Sequence, residues 1–176
     1  IFAGHSEGSL VGMIASKEKA DGYISIAGAG RPIDEILEEQ VAKQAPFLKN
    51  ETRKYLDTLK SGQTFVLKNK MLSALFRESV QPYLISWFKY DPRIEIKKLQ
   101  IPVLIINGTK DLQVPESDAK LLHEASPKSE LVLIENMNHV FKEIKQDSDN
   151  AKSYNNPELP VMPELIEKIA TFTKKI

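Results

Sequence analysis

The chain contains no cysteine. That excludes disulfides, thiolate metal sites and a cysteine nucleophile, and leaves the redox compartment open. Surplus charge is also lacking, because 24 Lys and Arg balance 24 Asp and Glu. A balanced chain has no electrostatic drive toward nucleic acid or anionic lipid, so neither is an expected partner. No apolar run approaches the roughly 20 residues that a membrane-spanning helix needs. The three histidines show no metal-ligand spacing. Gly28-Ala29-Gly30 lacks the G-x-G-x-x-G form of a dinucleotide loop and reads as a turn leading into the next segment. No metal or organic cofactor is therefore expected. No leader peptide is visible, but the chain opens at Ile1 in what reads as a buried strand. We expect the natural start to lie upstream. A soluble chain is expected, with the cytoplasm favoured over the periplasm; the oligomeric state is not legible.

What is present is an ordinary globular composition, 41% hydrophobic and 27% charged over 176 residues. Such a length suits one domain with a sizeable core. The outer parts read as alternating strand and helix. Ile1 to Ala3 ends a strand, Ser9 to Lys17 suits a buried helix, and Tyr23 to Gly30 is a strand running into a glycine-rich loop. Strand patterns return at Ile101–Asn107 and Glu130–Glu135, with a helix over Ser117–Ala125 between them. Lys145 to Asn156 is polar and reads as an exposed loop. The chain closes with an amphipathic helix over Met162–Lys175, with Leu165, Ile166, Ile169 and Phe172 on one face. Short apolar strands alternating with helices predict an α/β fold with a mostly parallel sheet. Between the two halves, residues 31–90 show helical spacing throughout and read as an all-helical insertion. The expected division is therefore a core of residues 1–30 and 91–176 with a helical segment at 31–90.

The strongest local signal is Gly4-His5-Ser6-Glu7-Gly8, a G-x-S-x-G pattern between an apolar run and a helix pattern. A nucleophilic serine must project from a turn sharp enough to strain its own backbone. Flanking side chains would collide with the next helix, which predicts glycine on both sides. Order strengthens the signal. Asp111 follows one predicted strand, in Gly108-Thr109-Lys110-Asp111, and His139 follows the next, in Asn136-Met137-Asn138-His139. Both fall at the C-terminal ends of parallel strands, where open α/β sheets build their sites. In that pattern Ser6 is the nucleophile, Asp111 the acid and His139 the general base.

Three segments resemble the α/β-hydrolase superfamily, and within it bacterial esterases and serine-aminopeptidase-like hydrolases. They are Gly4 to Gly8, Ile105 to Asp111 and Asn138 to Lys142. The resemblance covers essentially the whole chain. It implies an α/β-hydrolase fold in which residues 31–90 form a helical cap. It implies a serine hydrolase that cleaves carboxylic esters through an acyl-enzyme on Ser6. The backbone N–H of Glu7 is then one oxyanion donor. The family's earlier strands, and the loop giving the second donor, would precede Ile1. A small acyl ester or a short peptide is the implied substrate.

Plainer readings stand beside these. Ser6 can be a helix N-cap, Asp111 a turn residue and His139 a surface histidine; Glu135 rivals Asp111 as the acid. His5 reads as packing beside the serine, and His123 as a solvated or interfacial residue. Phe76, Tyr83, Trp87 and Phe88 read as core before acyl pocket, while Lys142, Lys145 and Asp147 read as a solvated loop with Tyr154 as a possible substrate contact. Glu35, Glu38 and Glu39 are either a solvated face or the anchor a peptidase needs for a free amino group. A non-catalytic binding module, or an inactive piece, is the remaining alternative.

Overall fold

A computed structural model describes residues 1–176. The chain folds as two compact units, residues 1–30 with 92–176, and residues 31–91.

The first unit is built on four parallel strands, β1 (Phe2–His5), β2 (Tyr23–Ile26), β3 (Val103–Gly108) and β4 (Glu130–Ile134), in the spatial order β1-β2-β3-β4. β2 and β3 are buried along their whole length, which accounts for their unbroken apolar sequence. The pleat sends alternate residues to opposite faces. One face gathers Ile24, Ile26, Leu104, Ile106 and Ile134 against Leu165 and Phe172 of the closing helix. Burying a side chain of that size contributes about 1.5–3 kcal/mol. On β2 the other parity, Tyr23 and Ser25, meets helix α1 (Glu7–Ser16) through a buried hydroxyl cluster. Ser9 Oγ lies 2.9 Å from Tyr23 Oη and 2.8 Å from Ser25 Oγ, and Tyr23 Oη donates to the Ser9 carbonyl at 2.6 Å.

In the first unit the sequence boundaries hold to within a few residues, with two instructive departures. Ile166, expected on the inner face of the last helix (Pro163–Thr173), is 60% exposed, while Leu165 and Phe172 are buried. Only one side of that helix reaches the sheet. The polar stretch expected as an exposed loop contains a 3₁₀ turn (Asp147–Asp149) and a short helix (Asn150–Ser153), and Asn150 and Ser153 are buried. Their polar composition concealed an internal hydrogen-bond network rather than a solvated face.

The second unit is helical but not continuously so. Helices α2 (Ile33–Gln44), α3 (Lys49–Lys60), α4 (Ser73–Phe76) and α5 (Gln81–Trp87) enclose Leu37, Val41, Leu56, Leu59, Leu72, Phe76 and Leu84. Residues 63–69 are non-helical, contrary to the all-helical expectation. Gln81 takes the place of a partner strand there. Its Oε1 accepts the Phe65 N–H, and its Nε2 donates to the carbonyls of Phe65 and Phe76, each within 2.9 Å. Phe76 is fully buried and Trp87 and Phe88 pack on the same cluster, while Tyr83 is exposed against Trp87.

Candidate active site

Ser6 lies between the end of β1 and the start of α1, with φ 56° and ψ −121°. A non-glycine residue held there is strained by about 1–3 kcal/mol. The strain is imposed from both sides, since the Ser6 N–H is bound to the Ile26 carbonyl of β2 and the Ser6 carbonyl accepts the Ser9 N–H of α1. The Ser6 side chain makes no hydrogen bond to the helix it precedes. Its hydroxyl is therefore not spent on capping. Glycine is demanded on one side of the turn only. A Cβ on Gly4 would lie 2.0 Å from the Gly8 carbonyl oxygen, whereas a Cβ on Gly8 would meet nothing within 4 Å. The expectation of collision on both sides is corrected to that extent. Glu7 is the first residue of α1 and is exposed; N–H groups at a helix start point out along the axis.

Asp111 and His139 come from the loops after β3 and β4. Asp111 is held in a tight turn in which its Oδ1 accepts the N–H groups of Gln113 and Val114, both at 2.8 Å. Its Oδ2 faces outward from that turn and meets His139 Nδ1 at 2.7 Å, with both side chains almost wholly buried. A carboxylate can only accept, so Nδ1 carries a proton; in the neutral ring Nε2 is then the nitrogen with the lone pair, the tautomer a general base requires. The loops approach closely because Gly108 has no side chain. A Cβ there would fall 2.0 Å from the Met137 carbonyl oxygen. Glu135, the alternative acid, is exposed.

The serine turn and the histidine loop touch through His5. Its ring centroid lies 4.7 Å from that of His139, and its Nε2–H donates to the His139 carbonyl at 2.9 Å. Phe141 packs edge-on against His5. Partial burial, then the neighbouring His139, lower the His5 pKa, against weaker raising by the carbonyl bond and Asp111. Ser6, Asp111 and His139 thus follow three strands, β1, β3 and β4, at the C-terminal end of the parallel sheet.

The other residues singled out in the sequence lie elsewhere or do other work. His123 is on helix α6 (Glu116–Ala125), and its Nδ1 binds Ser129 Oγ at 2.9 Å. That hydroxyl already donates to the Ser126 carbonyl, so His123 is the donor and fastens the helix end. Lys142 Nζ donates to the Leu159 carbonyl, and Lys145 pairs with Glu143. Tyr154 has a raised pKa. Burial is the leading cause, opposed by Gln113 and reinforced by the charge of Asp111. In the helical unit Glu39 is paired with Arg31 and Lys43, and Glu38 with Arg53, while Glu35 is exposed. No group of three His, Asp or Glu side chains is arranged to hold a metal ion, and no helix is long and apolar enough to cross a membrane.

Sequence reasoning passed over Asn138, Asn150 and Ser153, all buried beside the acid and histidine loops. The one available signal was that Asn138 directly precedes His139.

The parallel sheet with flanking helices is shared with solved α/β-hydrolase structures. A thermophilic esterase structure superposes with TM-score 0.50 at 23% identity, covering 98% of this chain and 65% of that one. A malate-bound thermophilic esterase from Thermogutta terrifontis gives TM-score 0.52 at 16% identity, covering 98% and 64%. The fold is therefore that of the α/β-hydrolase superfamily. By sequence the chain is esterase-like: it is 30% identical over 152 residues to Esterase EstD of Thermotoga maritima, covering 78% of this chain. The chain spans 34% of the length of that relative. No protein-family model matches.

Proposed function

We propose that the protein is a serine hydrolase that cleaves carboxylic esters through an acyl-enzyme on Ser6. The observation that carries the reading is the buried 2.7 Å pair of His139 and Asp111, joined through His5 to a serine turn at φ 56°.

In this reading His139 Nε2 takes the Ser6 hydroxyl proton as Oγ attacks the ester carbonyl carbon. The negative charge passes to the carbonyl oxygen, where the Glu7 N–H and the positive end of α1 stabilise it. The imidazolium formed on His139 is stabilised by Asp111 and returns its proton to the departing alkoxide. Water then adds to the acyl carbon with His139 again as base, and Ser6 is released. The helical segment of residues 31–90 is in this reading the part that tunes substrate choice.

Esters are preferred to peptides on one observation. A peptidase that grips a free amino group needs an unneutralised carboxylate; Glu38 and Glu39 already have cationic partners, which leaves the exposed Glu35 as the remaining candidate anchor. Hydrogen bonds from Lys43 and Arg31 hold the Glu39 carboxyl down at about 2. The test is a panel of para-nitrophenyl esters of increasing acyl length beside aminoacyl para-nitroanilides, with Ser6→Ala as control. Ester turnover lost in Ser6→Ala supports the reading. Faster anilide than ester turnover moves it to the peptidases, and turnover that survives Ser6→Ala refutes it.

A further inference from the structure

We propose that Asn150 is a positioning residue, a clamp that holds the acid loop and the histidine loop at the separation their 2.7 Å contact requires. The proposal rests on the serine-hydrolase reading above.

Two short loops from neighbouring strands must hold Asp111 Oδ2 and His139 Nδ1 at hydrogen-bonding separation. Backbone bonds between the loops hold their bases, with Thr109 N–H on the Ile134 carbonyl and Lys110 N–H on the Met137 carbonyl. The tips are joined by a side-chain chain. Asn138 Oδ1 accepts the N–H groups of Val140 and Lys142, at 3.2 and 2.9 Å, and so closes the loop that carries His139. Its Nδ2 points the other way and donates to Ser153 Oγ at 2.7 Å and Asn150 Oδ1 at 3.3 Å. Asn150 Nδ2 then donates at 2.7 Å to the carbonyl of Lys110, the residue before Asp111. One amide thus receives from the histidine loop and donates to the acid loop.

Three further features mark this as a built connection. Asn138, Asn150 and Ser153 are 1, 2 and 3% exposed, so their polar atoms depend on one another and not on water. Ser153 Oγ donates back to the Asn150 carbonyl at 2.6 Å, fixing both ends of the short helix that presents the amide. Lys110 also pairs through its side chain with Asp147, at the start of the same segment. A chain passage of polar composition is therefore anchored twice to the residue beside the acid. Neither donor nor acceptor of Asn150 can be replaced by an apolar group without losing the side-chain link between the loop tips.

The test uses the whole protein as encoded, with Asn150→Leu, which matches volume without hydrogen bonds, beside Asp111→Asn and wild type. The readouts are para-nitrophenyl butyrate kinetics, the acid limb of the pH profile of kcat/KM, and the His139 Nδ1–H proton resonance, assigned by its loss in Asp111→Asn. A misplacement of this kind lowers kcat by about 10²-fold with KM little changed. A looser carboxylate contact moves the acid limb to lower pH and moves the Nδ1–H resonance upfield. A merely structural asparagine would leave the limb and the resonance in place. If Asn150→Leu fails to fold, Asn150→Ser leaves room for water and is read in the same way. A folded variant with wild-type kcat, limb and resonance overturns the clamp. If Asp111→Asn turns over as fast as wild type, the triad reading fails instead, and the resonance alone still decides whether Asn150 sets the contact.

Discussion

Replacing Asp111 by asparagine separates chemistry from folding sharply in this site. One carboxylate oxygen accepts two backbone N–H groups, from Gln113 and Val114, and the other accepts His139 Nδ1–H. An asparagine has one accepting oxygen and one donating nitrogen. Two fixed donors claim the oxygen, so the amide nitrogen is turned toward His139. A donor facing Nδ1 forces the proton to Nε2, and a protonated Nε2 cannot take the Ser6 proton. The same exchange in the chymotrypsin-type triad lowers kcat about 10⁴-fold through the wrong tautomer. A loss of that size is about 5 kcal/mol of barrier. Folding changes less, because the turn keeps both backbone bonds, now to a neutral oxygen, and the charge-assisted contact to His139 that is lost is worth about 1.5–3 kcal/mol. Asp111→Ala behaves differently, since it strands two buried N–H groups at about 1–3 kcal/mol each. The assay is para-nitrophenyl ester turnover beside urea unfolding for both variants. An Asp111→Asn protein within tenfold of wild-type kcat, at unchanged stability, would refute the reasoning.

Other perturbations follow from single features. Ser6→Gly should abolish turnover yet raise stability by about 1 kcal/mol, since strain of about 1–3 kcal/mol is relieved against a glycine cost of about 0.5–1; urea midpoints of the two proteins check it. Gly108→Ala drives a Cβ to 2.0 Å from the Met137 carbonyl oxygen. It should cost about 1–3 kcal/mol and lower kcat by shifting the loop that carries His139, read by thermal melting and ester turnover. His5 has a folded pKa below its ordinary 6.5. Between the two values the unfolded chain binds more protons, so the contribution of His5 is fully present above 6.5 and is lost as pH falls below it. Melting temperature should therefore fall more steeply toward about pH 5 in wild type than in His5→Asn; parallel curves would contradict this.

The sheet and the three candidate positions were legible for a common reason. Buried parallel strands require unbroken apolar runs, and those runs locate the loops at their ends. Gly108 and Asn138 lie within the acid and histidine motifs, but their work depends on a neighbour distant in sequence, Met137 for one and Asn150 for the other. Periodicity carries no such information. Residues 145–156 misled because buried asparagine and serine have the composition of a loop while satisfying one another inside the protein. Ile166 misled for the opposite reason, since an apolar residue at helical spacing need not face the sheet.

The central claim is that Ser6 is an activated nucleophile. The direct measurement is labelling of the whole protein with a fluorophosphonate, read by intact mass and peptide mapping, beside Ser6→Ala and His139→Ala. A single adduct on Ser6, absent in Ser6→Ala and strongly slowed in His139→Ala, is the predicted result. No adduct on the folded protein, or one that persists in Ser6→Ala, would contradict the account.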